Sequence, residues 1–287
     1  MPTNRIGLNS FAAFLDQVSL HPGVSVGEIQ LGSMSEALHY AAKHDFDFVE
    51  ILLDYPLLGD ADLEGLLQDV ITDVGLPVNV HAPFIDLSIS SHNTLVREAS
   101  VRSTINAIAA AQSLKAACLT FHPGTRVFPF NLVRGHYSSA MQDSLRQILA
   151  AYPNPGLRVC VENMPTTERF FGRIADIQRI LERPSFDAFY LTYDTSHLYT
   201  WGEDAAEFWV AFHDRIGNVH LVDNRYTDQD PHIALGKGHI DFHQVAGLLL
   251  QYAYPYDIVI ELQTLHHCSR GRAFFLRLLE SAANEQA

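Results

Sequence analysis

Short apolar runs alternate with helix-length segments eight times along this chain, and that alternation constrains its fold more than any other feature. Strands are read over residues 24–30, 46–53, 77–81, 117–122, 157–162, 189–194, 218–222 and 257–262. Most are rich in β-branched and aromatic residues. The intervening and closing sequence predicts helices over 33–44, 61–74, 94–115, 137–152, 174–182, 204–214, 242–252 and within 271–283. Eight strand–helix units point to the α/β class and to a single (β/α)8 TIM barrel over residues 1–287, with 1–22 as an N-terminal arm or extra helix. No glycine-rich phosphate loop follows the first strand, which argues against an open nucleotide-binding sheet.

Composition narrows the classes further. At 47% hydrophobic residues the chain can bury a sizeable core, and its formal net charge of -14 opposes a surface built to grip a polyanion. Nucleic acid is therefore not the expected partner. Cys118, Cys160 and Cys268 are far apart and form no metal motif, so three free thiols and a reducing, cytoplasmic location are expected. No charged segment followed by an apolar run opens the chain, so no signal peptide is expected. No apolar stretch approaches the roughly 20 residues that would cross a bilayer.

In a barrel of this kind, reactive groups gather where strands end. Here the third strand ends in His81-Ala-Pro, the fourth in His122-Pro-Gly and the fifth in Glu162-Asn. The sixth ends in Asp194-Thr-Ser-His197, the seventh carries His220 and Asp223, and the eighth ends in Glu261. Any one of these could be an ordinary loop or capping group, and Asp194 could simply cap the next helix. Together they bring imidazoles and carboxylates to one rim, and such a cluster needs a compensating cation. The loop after the seventh strand adds Asp230-Pro-His232, and it carries Lys237 between Gly236 and Gly238. Lys237 could meet a phosphate or carboxylate, or could stand solvated on its turn. Phe84, Tyr199 and Trp201 could wall a pocket.

These motifs resemble the xylose-isomerase-like TIM-barrel superfamily, over about residues 24–280. That superfamily holds the family-2 AP endonucleases (endonuclease IV) and many sugar or sugar-phosphate isomerases and epimerases. The resemblance to the endonucleases implies up to three zinc ions: His81 and His122 on one with Glu162 bridging, Asp194, His220 and Glu261 on a second, His197, Asp230 and His232 on a third. The resemblance to the epimerases implies one divalent ion, commonly manganese, on Glu162, Asp194, His220 and Glu261. Glu162 and Glu261 would then also exchange substrate protons, with His197 and Arg225 on the sugar hydroxyls.

Both chemistries fit the ligand set. A metal-dependent isomerase or epimerase uses the cation to polarise a carbonyl while paired carboxylates move a proton. A zinc phosphoester hydrolase would make better use of His81 and His122. The loop over residues 53–64 carries Asp54, Asp60, Asp62 and Glu64 where DNA-repair relatives are basic and polar, so it would repel phosphate. The expected substrate is accordingly a small carbohydrate, acted on with one to three divalent ions, zinc first and manganese second, by a chain that could form a homo-oligomer.

Overall fold

The computed structural model describes residues 4–20, 23–127, 134–152, 156–182 and 184–286. In chain order its elements are β1 (Ile6–Asn9), α1 (Phe11–Leu20), α2 (Val26–Lys43), β2 (Val49–Leu52), α3 (Ala61–Val74), β3 (Val78–His81), α4 (Thr94–Ser113), β4 (Cys118–Phe121) and α5 (Arg134–Ala151). There follow β5 (Arg158–Glu162), α6 (Ile174–Leu181), β6 (Phe189–Asp194), α7 (Thr195–Thr200), α8 (Ala205–Phe212), β7 (Ile216–Leu221), α9 (Phe242–Gln251), β8 (Asp257–Ile260) and α10 (Leu265–Gln286). The strands run parallel in the order β1 to β8 and close on themselves, β1 pairing with both β2 and β8. This is the expected (β/α)8 barrel.

The barrel begins earlier than the sequence suggested. The strand expected over residues 24–30 is the N-terminal turn region of α2. Ser25 explains why: its hydroxyl accepts from the Glu28 amide while the Glu28 carboxylate accepts from the Ser25 amide, a reciprocal cap that starts a helix. Val24, Val26 and Ile29 are β-branched, and that preference loses to the cap. Part of that N-terminal segment supplies β1, and the extra helix expected there is α1. Ile6 to Asn9 are all buried, and the Asn9 carboxamide accepts from the Phe11 amide to turn the chain into α1. Residues 1–3 and 21–22 of that expected arm lie outside the described residues.

Alternation along the strands divides the core in two. Val49, Ile51, Val78, Val80, Leu119 and Phe121 belong to the apolar cluster shared with the helices. Most of their neighbours face the barrel axis and are polar, Leu52 and Cys118 being exceptions. Asn218 on β7 donates to Glu50 on β2 and to Thr120 on β4, and Asn79 on β3 donates to Asp257 on β8. Thr120 and Thr192 share a further bond across β4 and β6 at 2.8 Å. Lower in the barrel, Arg158 and Arg5 both pair with Asp257. The three cysteines are free and buried.

Because β1 closes the barrel, Leu8, fully buried on it, should behave as a core residue. Leu8→Ala is expected to cost about 2–5 kcal/mol in urea unfolding. A peripheral arm would give a change near zero.

Candidate active site

One rim of the barrel collects the reactive side chains. His81, Glu162 and Asp194 are the last residues of β3, β5 and β6, His220 is one residue from the end of β7, and His122 and Glu261 follow β4 and β8 directly. Asp194 does two jobs. Its Oδ1 caps α7 by accepting from the His197 amide at 2.7 Å, which carries His197 one turn up the same rim, while Oδ2 stays clear of that bond. Asp230 and His232 arrive on the loop after β7. The Asp223 carboxylate shapes that loop by accepting from the amides of Lys237 at 2.9 Å and Gly238 at 2.7 Å. Gly238 has to be glycine there, since a Cβ would stand 2.1 Å from Asp223 Oδ1 and 2.3 Å from the Asn224 carbonyl oxygen.

The ligand-type atoms converge in three groups: His81, His122 and Glu162; Glu162, Asp194, His220 and Glu261; and His197, Asp230 and His232, each within 4.8 Å. Glu162 belongs to two of them. Its Oε2 lies 3.0 Å from His122 Nε2 and 3.5 Å from His81 Nε2, and its Oε1 lies 3.2 Å from His220 Nδ1. Glu261 Oε2 is 2.7 Å from the same His220 nitrogen. Asp230 Oδ2 meets His197 Nε2 at 2.9 Å and His232 Nε2 at 3.0 Å.

Backbone carbonyls fix how three of these rings present themselves. His81 Nδ1 faces the Ala82 carbonyl, His197 Nδ1 the Asn163 carbonyl and His232 Nδ1 the Glu261 carbonyl, at 2.9, 2.7 and 3.2 Å. A carbonyl only accepts, so each Nδ1 carries its proton and Nε2 is the nitrogen that each ring turns to the site.

The donor chemistry fits a divalent cation. Asp194 Oδ2 is buried without a hydrogen-bond partner among the described residues, and Glu162 Oε2 and His220 Nδ1, buried and poorly aligned for hydrogen bonds, have only ion-pair contacts within this cluster. A buried carboxylate oxygen is rarely left bare as Asp194 Oδ2 is, and all three atoms belong to the groups above. Oxygen and imidazole donors of this kind suit zinc, manganese or magnesium.

Charge in the cluster is finely opposed. Burial raises Glu162, yet His220, His122 and His81 together hold it well below the ordinary carboxylate value. Asp194 is pushed up to about 7, first by burial and then by Asp230, Glu162 and Glu261, against His197. Burial lowers His220 and His197, but the surrounding carboxylates carry both well above the usual imidazole value. For His122 burial prevails and the ring stays below it.

A cavity of about 440 Å³ opens onto these groups, walled by Phe11, Leu52, Phe84, Met164 and Pro231 above His81, His122, His197, His232 and Glu261. Phe84 is a wall, its ring 4.8 Å from that of His122. Two expected substrate contacts are placed elsewhere. Arg225 and Lys237 are exposed and line no part of this cavity, and the Arg225 guanidinium donates to the Lys237 carbonyl, because the Asp223 clasp folds their loop back on itself. Tyr199 and Trp201 do not line it either; the Trp201 indole donates to the Met164 carbonyl. The acidic loop after β2 has a local role as well, since Asp60 caps α3 by accepting from the Asp62 and Leu63 amides. One buried residue escaped the sequence reading: Glu50, fully buried on β2, with Oε1 3.0 Å from His220 Nε2. Its signal was a lone carboxylate inside the apolar run Val49-Glu50-Ile51.

Comparison with known proteins agrees with this architecture. Residues 38–275 match the xylose isomerase-like TIM barrel family, and the chain belongs to that family. An uncharacterised protein of Methanocaldococcus jannaschii is 27% identical over 259 residues, covering 86% of this chain and 85% of that protein. Among solved structures, a D-tagatose 3-epimerase-like protein superposes with a TM-score of 0.83 at 22% identity, over 99% of this chain and 100% of the other. An L-ribulose 3-epimerase gives 0.77 at 21% identity, over 99% and 97%. A xylose isomerase-like TIM barrel protein from Mycobacterium smegmatis in complex with magnesium gives 0.71 at 17%, over 98% of each chain. At these identities the structures share the fold. No helix among the described residues is long and apolar enough to cross a membrane.

The surrounding carboxylates raise His220 and His197 well above the usual imidazole value, which favours a proton on each ring at neutral pH in the absence of a cation. A cation must displace those protons. Zinc titration near pH 7 should therefore release protons, and apparent affinity should rise with pH. Calorimetry in two buffers of different ionisation enthalpy measures the release; equal heats in both would contradict this charge assignment.

Proposed function

We propose that the chain is a divalent-metal-dependent isomerase or epimerase of a small carbohydrate. The observation that carries the reading is the convergence of Glu162 and Glu261 on His220 Nδ1, at 3.2 and 2.7 Å, with the free Asp194 Oδ2 in the same group. Glu162, Asp194, His220 and Glu261 would hold the ion. When bound, it supplies Lewis acidity to a substrate carbonyl and its neighbouring hydroxyl.

The two glutamates then divide the proton work. One carboxylate takes the proton from the carbon next to the carbonyl, and the C–H electron pair moves onto the carbonyl oxygen. The other carboxyl returns a proton to that carbon from the opposite side, which inverts it. His197 would bind a substrate hydroxyl, and the apolar wall with Phe84 and Met164 would exclude water from the reacting carbons. The names of the structural neighbours support a ketose as substrate, since several are 3-epimerases of tagatose, ribulose or allulose.

Incubating the protein with manganese and D-tagatose, L-ribulose or D-allulose in deuterated water tests this directly. NMR should show deuterium entering the carbon next to the carbonyl, together with the epimer. Glu162→Gln and Glu261→Gln should each slow that exchange by about 10²–10⁴-fold. A chelator should abolish it, and added ion should restore it.

A second reading is favoured by one specific feature, the two additional groups around His81 with His122 and around Asp230. A zinc phosphoester hydrolase would use them. Metal analysis separates the two: Glu162→Ala should remove more than one ion per chain in the multinuclear case and a single ion in the mononuclear one. Hydrolysis of bis(p-nitrophenyl) phosphate without any carbon-bound exchange would replace the first reading by the second.

A further inference from the structure

His220 departs from the pattern of its neighbours. His81, His197 and His232 each lay Nδ1 against a backbone carbonyl and present Nε2 to the site. His220 is turned round: Nδ1 points at Glu162 and Glu261, and Nε2 sits 3.0 Å from Glu50 Oε1. No carbonyl takes the place of the proton holder. A carboxylate does.

Glu50 is built for that task. It is fully buried on β2, and both oxygens are occupied, Oε1 accepting from Asn9 at 3.1 Å and Oε2 from Asn218 at 2.9 Å. Those partners are neutral amides, which do not balance a buried charge. Among the described residues the ionisable partner in contact with Glu50 is His220. His220 Nε2 has two neighbours, Glu50 Oε1 at 3.0 Å and the Asn218 carboxamide nitrogen at 3.1 Å. The two N–H groups of Asn218 are taken by the closer Glu50 Oε2 and Thr120 oxygens, at 2.9 and 3.0 Å, so the proton between Nε2 and Glu50 belongs to Nε2.

We propose that Glu50 is the positioning residue that keeps the proton on His220 Nε2 and thereby presents Nδ1 to a divalent cation. The proposal rests on the reading of Glu162, Asp194, His220 and Glu261 as a cation-binding group. Glu50 itself touches neither substrate nor cation. A carboxylate behind a ligating imidazole fixes ring and tautomer and raises the donor strength of the ligating nitrogen. The neutral carbonyls behind the other three rings can do the first but supply less of the second. Glu50 therefore makes His220 the strongest imidazole donor of the rim.

Two measurements test it on the full-length protein, with zinc as the probe. In zinc-loaded wild type labelled with ¹⁵N-histidine, the two-bond couplings of His220 should show a protonated Nε2 and a ligated Nδ1. A protonated Nδ1 with a bare Nε2 overturns the proposal. Competition with a chromophoric chelator then compares variants. Glu50→Gln, which keeps the shape and offers a neutral acceptor, should bind zinc about 10-fold more weakly, and Glu50→Leu about 100-fold. Folded Glu50→Gln binding zinc as tightly as wild type overturns the proposal, as would a lower melting temperature with unchanged affinity. If Glu50→Leu does not fold, the wild-type spectrum and Glu50→Gln still decide. Wild type that takes up no zinc removes both this role and the metal reading. Sugar turnover enters neither readout, so failure of the epimerase reading is seen separately.

Discussion

A single buried carboxylate sets the terms for the whole rim. Glu162 is 1% exposed, and imidazoles from four different positions, His81, His122, His197 and His220, lie within 3.5 Å of its oxygens. Removing such a charge from water costs several kcal/mol unless opposite charge and hydrogen bonds replace the solvent. Protonated imidazoles can supply that charge, and so can a cation. The two solutions compete for the same nitrogens, so any cation the barrel takes up would be coupled to its proton inventory.

The barrel can hold that cluster because polar side chains occupy much of its axis. A barrel of this class normally fills its interior with branched apolar side chains. Here Asn9, Glu50, Asn79, Thr120, Thr192 and Asn218 take axial positions and bond across the barrel. Apolar burial is carried instead by the outward residues of the same strands, pressed against the helices. The ligand-type side chains therefore stand on a hydrogen-bonded floor. Directional bonds in a low-dielectric interior hold a floor more rigidly than packing alone.

Most of this arrangement was legible because it depends on local signals. Asp194 followed by His197 needed only a strand end and one helical turn, and β6 begins and ends where its aromatic and β-branched run does. His81, His122, Glu162, His220 and Glu261 each stood beside an apolar strand, so register alone put them on one rim. Three features were hidden, each for a physical reason. β1 was obscured because Ile6-Gly7-Leu8-Asn9 is short and contains two poor strand formers. Its burial comes from closing between β2 and β8, a contact that no local window contains. Glu50 was hidden because its partners Asn9, Asn218 and His220 are 41, 168 and 170 positions away along the chain. The positions of Arg225 and Lys237 outside the cavity were hidden because the loop after β7 takes its path from the bonds of Asp223, which spacing does not encode.

The same ligand set leaves two chemistries open, and charge separates them. Glu162, Asp194, Asp230 and Glu261 bring four carboxylates to the rim. No lysine or arginine lines the cavity among the described residues. With one divalent ion and ionised carboxylates the rim keeps a negative balance, which repels a phosphate ester and leaves a neutral polyol as the ligand it can accept. With three such ions the balance turns positive, and a phosphate group becomes the stronger ligand. The group around Asp230 depends on the loop held by Asp223, so its order governs whether the third ion can be retained. A neutral carbohydrate thus follows from sparse metal occupancy, and a phosphoester from full occupancy. On the proposed metal-dependent reading, substrate class would follow from how many cations the rim retains.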